Sequence, residues 1–224
     1  MSLDLDEGIR LYREGHYEQA LKVFDALNEE EFPSLPYYLG LACTKLKEYE
    51  KALEYFEQVI SQDFDLVYTY QSRMVKALIY TELEEYPLAV KELDSIREEG
   101  YESPMVFSAL GHIYWQMGNM TGALTTLQKA LAQDPNNTTA LNSTAYILAE
   151  KGMYLDKAFQ FCLKAIKEQP GNPAYLDSLG WIYHQKKDSI KAEEFIGKAL
   201  KLAPDNPVIQ DHYKIVKKAK GRIK

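Results

Sequence analysis

Small residues recur along this chain at Gly8, Gly40, Ala77, Gly111, Ala145 and Gly180, at intervals of 32, 37, 34, 34 and 35 residues. A second series, Ala20, Ala52, Ala89, Ala123, Ala158 and Ala192, keeps step with it at intervals of 32, 37, 34, 35 and 34. Two independent series in register imply one structural unit repeated six times. Each unit reads as two helices that approach closely where their small residues meet, with larger apolar residues filling the space on either side at helical spacing.

The stretch Pro104 to Pro135 shows the unit most clearly. Phe107, Leu110, Gly111 and Tyr114 form a first apolar face, and Ala123, Leu127 and Ala130 form a second. Between them Gly118-Asn119 predicts a turn, with Gly ending one helix in a left-handed conformation and Asn capping the next. Ser103-Pro104 and Asp134-Pro135 mark the unit's ends, because proline suits a first helical turn and not a helix interior. This stretch resembles the tetratricopeptide (TPR) pattern W-x2-L-G-x2-Y, A-x3-F and P, with Phe for Trp and Leu for Phe. The resemblance extends over nearly the whole chain. It implies an all-α right-handed TPR superhelix, an α-solenoid, of six helix pairs plus a C-terminal capping helix. The expected repeats span about 1–32, 33–69, 70–103, 104–137, 138–172 and 173–206, with 207–224 as the capping helix and basic tail.

The repeats differ in informative ways. The first carries Asp4 where a large apolar residue is usual, which suits an N-terminal cap or a truncated edge. The third has Lys76-Ala77 for Leu-Gly and added residues around Asp65 to Tyr70, predicting a longer first helix or an enlarged loop. The fifth has one extra turn residue around Met153 to Leu155. Asn172-Pro173 and Asn206-Pro207 read as N-cap and N1 pairs. Val208, Ile209, Tyr213 and Val216 lie roughly on one face of the last helix, which is expected to cover Phe195, Leu200 and Leu202. Its basic residues, Lys214, Lys217, Lys218, Lys220, Arg222 and Lys224, suit the polar back of a cap, or a surface for an anionic partner or membrane.

Several classes of function find no support. There is no P-loop, GxSxG, HExxH or CxxC motif, and no histidine pair at helical ligand spacing, so no catalytic residue, cofactor or metal site is expected. Cys43 and Cys162 fall at core positions of different repeats and read as buried thiols. The formal net charge of -7 argues against nucleic acid as the main ligand. No run of about 18 apolar residues is present to span a membrane. The chain as written reads as cytoplasmic, or as periplasmic or envelope-associated if a leader was trimmed.

In arrays of this kind the first helices line a concave face, and side chains three before, one after and four after the small residue point into it. Those positions include Tyr12, Tyr37, His112, Trp115, Asn142, Tyr146, Asp177, Trp181 and His184. Both tryptophans fall in the set and are expected to be accessible, in an aromatic and polar C-terminal half suited to gripping a peptide. The alternative is that these rings pack on neighbouring helices. The early positions Leu5, Ile9, Tyr37, Tyr38 and Leu41 lack the Lys, Asn and Arg of a carboxylate clamp. The resemblance, closest to bacterial TPR proteins, implies a non-enzymatic scaffold binding a protein or peptide partner in its groove. The alternatives are a self-assembling homo-oligomer and a targeting module of a longer protein.

Overall fold

A computed structural model describes residues 4–221, with side chains up to Ala219. The expected basic residues Arg222 and Lys224, and the side chain of Lys220, lie outside this range. Thirteen helices and no strand occur among the described residues. The chain divides into two compact units, Met1–Tyr101 and Glu102–Lys224. The first holds α1 (Leu5–Arg13), α2 (Tyr17–Asp25), α3 (Leu35–Lys45), α4 (Tyr49–Gln62), α5 (Leu66–Glu82) and α6 (Tyr86–Glu98). The second holds α7 (Pro104–Gln116), α8 (Met120–Gln133), α9 (Thr138–Glu150), α10 (Leu155–Glu168), α11 (Pro173–Gln185), α12 (Ser189–Leu202) and α13 (Pro207–Gly221). Within each unit the helices pack in antiparallel pairs, and successive pairs stack.

The pairs are closed by turns with one recurring conformation. The second turn residue is left-handed in all six, at Gly15, Lys47, Glu84, Gly118, Gly152 and Lys187. The next residue's N–H returns to a carbonyl five positions back, as from Asn119 to Tyr114 at 2.8 Å and from Asp188 to Tyr183 at 3.0 Å. This satisfies carbonyls that the helix end would orphan. Gly118 has φ +76°, and the Asn119 side chain accepts from Gly122 N at 2.9 Å, as its sequence predicts. The turn before α10 holds four residues, Lys151 to Tyr154, where the others hold three. Asn172 and Asn206 cap α11 and α13 through bonds to Ala174 N at 3.0 Å and Val208 N at 3.1 Å. Asp4 caps α1, accepting from Asp6 N at 3.2 Å, which explains its polar character.

Between the turns, the small residues set how closely two helices approach. A Cβ added at Gly8 would lie 2.2 Å from the Phe24 ring, and one at Gly40 would lie 2.8 Å from the Phe56 ring. At Gly111 the obstacle is Leu127 Cγ at 2.6 Å. Gly180 is the tightest in kind, because its added Cβ would meet Ile196 Cγ1 at 2.5 Å and the Ile196 backbone nitrogen at 2.9 Å. Ring atoms can swing aside, whereas a backbone atom moves only with its helix.

The first unit departs from the apolar pattern at Lys76, which is buried on α5. Its ammonium bonds to Glu57 and lies 2.8 Å from Glu92 Oε1, while Arg73 reaches Glu92 Oε2 at 3.1 Å. Burial pulls the Lys76 pKa down, but the bonds to Glu57 and Glu92 outweigh it and hold the group above its ordinary value. The added residues before this repeat lengthen α5 to 17 residues, which settles the choice between a longer helix and an enlarged loop.

Two pairs of substitutions should separate in urea denaturation. Gly180→Ala should destabilise by about 1–3 kcal/mol despite alanine's better helix propensity. The solvent-facing Gly171, with no atom near an added Cβ, should accept Ala almost neutrally. Glu92→Gln should cost about 3 kcal/mol, because it leaves Lys76 buried with only Glu57. Lys76→Met should cost less than half of that, since Glu92 keeps Arg73.

Candidate functional site

In the second unit, α7, α9, α11 and the start of α13 surround a cavity of about 420 Å³. That lies within the range of small-ligand and peptide pockets. His112 and Trp115 enter it from α7, Asn142 and Tyr146 from α9, Asp177 from α11, and Val208 and Ile209 from α13. Five of the nine predicted groove residues therefore meet here. They do so because each first helix turns its small residue toward its pair partner and the opposite face toward the cavity.

Trp115 is half-buried and meets Tyr146 edge-on, with ring centroids 6.2 Å apart and planes at 89°. The Lys151 ammonium lies 5.3 Å from the Trp115 ring centre. The Tyr146 phenol is bonded to Glu150, and its pKa is pushed well up, first by burial and then by the charges of Glu150 and Asp177. His112 is exposed on the rim. Asn142 and Asp177 are buried, and both residues form part of the cavity wall.

Trp181 corrects the sequence-based expectation. It is 7% exposed and does not line the cavity. Its ring is sandwiched, with His184 stacked at 4.8 Å and His212 at 4.0 Å. His184, also expected in the groove, is half-buried in this stack. The cause is α13, which packs on α11 and α12 and buries Ile209, His212 and Val216. Val208 and Leu202 are exposed, contrary to the predicted apolar contact. His212 Nδ1 lies 2.8 Å from Asp177 Oδ2, and Nε2 lies 3.5 Å from Glu150 Oε1.

His212 is absent from the predicted groove set, although the sequence carries a signal for it. Ser108, Asn142 and Asp177 hold the position three before the small residue, at intervals of 34 and 35. One further step of 35 lands on His212, so α13 continues the series of first helices.

Tyr12 and Tyr37 lie in the first unit and belong to its own aromatic packing. Tyr12 sits 5.4 Å from Tyr17, and its pKa is raised by burial and then by Tyr17. Tyr37 contacts Tyr38, Phe56 and Tyr68, and its pKa is pushed up to about 12, first by burial and then by Tyr12 and Tyr68. Cys43 and Cys162 are buried free thiols, and burial raises the pKa of each. Among the described residues no cluster of three or more His, Cys, Asp or Glu is arranged to hold a metal ion.

Residues 5–65 and 108–173 match a tetratricopeptide repeat model, and residues 174–206 match a second model of the same description. The chain belongs to the tetratricopeptide repeat family. A TPR repeat-containing protein of Pseudomonas aeruginosa is 38% identical over 82 residues, covering 37% of this chain and 14% of that protein. The match to Superkiller protein 3 of Schizosaccharomyces pombe covers 11% of its length, so the chain spans a small part of both relatives. A TPR protein from Parabacteroides merdae superposes with a TM-score of 0.76 at 17% identity, over 95% of this chain and 82% of that one. YrrB, described as a TPR protein with an unusual peptide-binding site, superposes with a TM-score of 0.52 at 23% identity, over 83% of this chain and 95% of its own. These likenesses show the all-α TPR solenoid fold class. TPR repeats serve as protein-interaction scaffolds, and no described helix of this TPR chain is long and apolar enough to cross a membrane.

The two tryptophans should separate on mutation. Trp181→Ala should cost about 3–5 kcal/mol as a truncated core aromatic, and Trp115→Ala less than half as much. Thermal melts followed by circular dichroism read both. The pKa of His184 is lowered by burial, then by Lys187 and His212. As pH falls through the ordinary imidazole value of 6.5, the unfolded chain takes up this proton before the folded one. Stability should therefore decline on acidification through that window. His184→Phe, which keeps a ring against Trp181, should flatten the decline in melting temperature between about pH 7 and pH 5.

Proposed function

We propose that this TPR chain is a non-enzymatic protein-interaction module whose second-unit cavity receives a short segment of a partner protein. The observation that carries this reading is the cavity itself, where two aromatic side chains, Trp115 and Tyr146, stand beside buried polar groups on a wall open to solvent. Such rings supply contact area with few rotors to freeze. The peptide-binding site named for YrrB, a protein of similar fold, supports the reading. The net charge of -7 supports a protein rather than a nucleic-acid partner.

Selection of random peptides displayed on phage against the immobilised protein tests this. Sequences should be enriched over the bare support and should shift the fluorescence of Trp115 in a Trp181→Phe background. Trp115→Ala should weaken their binding about tenfold, equivalent to ~1.4 kcal/mol. Absence of enrichment, or full binding by both Trp115→Ala and Tyr146→Ala, would sink the reading.

A further inference from the structure

The geometry points to a second docking surface on the second unit, a groove between α8 and α10 that takes an amphipathic helix of a partner protein through apolar anchors and an acidic side chain. It is separate from the cavity among the first helices and does not depend on that reading. α9 divides the two, with Asn142 and Tyr146 on the cavity side and Thr144 and Leu148 on the groove side.

α8 and α10 both pack on α9, and the space between them measures about 630 Å³. That is within the range of ligand pockets. Leu124 and Leu131 line it from α8 and Phe161 from α10, and all three are only partly buried. Tyr154, the last residue of the four-residue turn, lines it too. It holds a left-handed backbone, φ +46°, although 70% of the residue is in solvent. A left-handed tyrosine is costly, and its own packing returns little of that cost. A partner covering the ring would return more. The walls are helices whose backbone groups bond within themselves. A segment entering the groove must therefore satisfy its own backbone, as a helix does.

The charges select the kind of helix. Lys157 is the one charged residue lining the groove among the described residues. Its ammonium lies 5.4 Å from the Phe161 ring centre, and it forms no ion pair among the described residues. Lys164 follows two turns later on the same stripe of α10, with Glu168 at the helix end as that stripe's acid. Other carboxylates nearby are engaged elsewhere. Asp156 bonds to Lys186, Asp134 accepts from Asn136 N at 3.0 Å, and Glu150 faces His212. On α8, Lys129 lies over the Phe107 ring and not in the groove. An unpaired ammonium beside apolar walls matches a helix whose apolar stripe is flanked by Asp or Glu, and repels a basic one.

Helical peptides displayed on phage test this, selected on the Trp115→Ala chain so that the cavity lacks its principal ring. Enriched sequences should carry apolar residues at i, i+4 and i+7 with a fixed Asp or Glu beside them. Their affinity for the unsubstituted chain, read by titration calorimetry, should fall about tenfold with Lys157→Glu and less with Lys157→Gln. Ala132→Trp, which fills the groove from an exposed lining position, should abolish binding. Tyr154→Gly should weaken binding yet leave the melting temperature unchanged or higher, because glycine takes a left-handed backbone freely. The proposal is overturned by a selection that enriches nothing, by enriched sequences without a fixed acidic residue, or by acidic peptides that bind Lys157→Glu and Ala132→Trp as well as the unsubstituted chain. Any of these leaves the first-helix cavity standing, since none of the three positions lines it.

Discussion

The close approach of two backbones at a small residue is the constraint on which the rest of each unit depends. At Gly180 a single added carbon would meet the backbone of α12, so the pair holds one separation and one rotation. Once the small face of a first helix is committed to its partner, the opposite face is committed too. That is how Ser108, Asn142, Asp177 and His212, on four helices, come to share one register position. The partner residue follows the same logic. Phe24, Phe56, Leu127 and Ile196 stand sixteen positions after Gly8, Gly40, Gly111 and Gly180, and Leu93 stands sixteen after Ala77. In the fifth repeat the extra turn residue moves the buried partner one place on, to Cys162, which is fully enclosed.

The second unit shows the consequence of packing α13 against α11 and α12. Without α13, Trp181 would be a groove residue by its register. With it, His212 stacks on the indole and binds Asp177, and the groove is closed at that end. The closure is incomplete in its hydrogen bonding, because Trp181 Nε1, Asp177 Oδ1 and Asn142 Oδ1 are left without partners. The indole N–H lies in the plane of its ring, so neither stacked histidine can accept from it, and all three atoms are enclosed by the protein.

Much of this is legible in the sequence, and the remainder is hidden for identifiable reasons. Helix number, the Gly118-Asn119 turn, the lengthened third repeat and the asparagine caps follow from local rules that neighbours in sequence enforce. The left-handed residues Lys47, Glu84 and Lys187 are not legible from residue type, because the turn geometry overrides a preference of only about 1 kcal/mol. Lys76 looks like a defect in the pattern, and its partners Glu57 and Glu92 become neighbours only when α4 and α6 flank α5. The burial of Trp181 is hidden for a related cause. Exposure of a groove residue depends on the helix beyond the last pair, and the apolar face of that helix is a poorer guide to its packing than its place in the repeat register.

The contrast with the first unit shows why aromatic content alone does not mark a site. That unit is the richer in tyrosine at groove positions, yet its rings satisfy one another. Tyr68, supplied by the extra N-terminal length of α5, stands 5.0 Å from Tyr37 and 6.4 Å from Tyr38. Phe64 covers Tyr68 in turn at 5.3 Å. The added residues of the third repeat thus fill space beside α3 with the chain's own side chains. In the second unit no comparable insertion exists, the first helices keep their ordinary length, and the volume between Trp115, Tyr146 and Asp177 stays open. A ring lining such a space can gain contact area from a partner, whereas a ring already packed on its neighbours must first lose what it has.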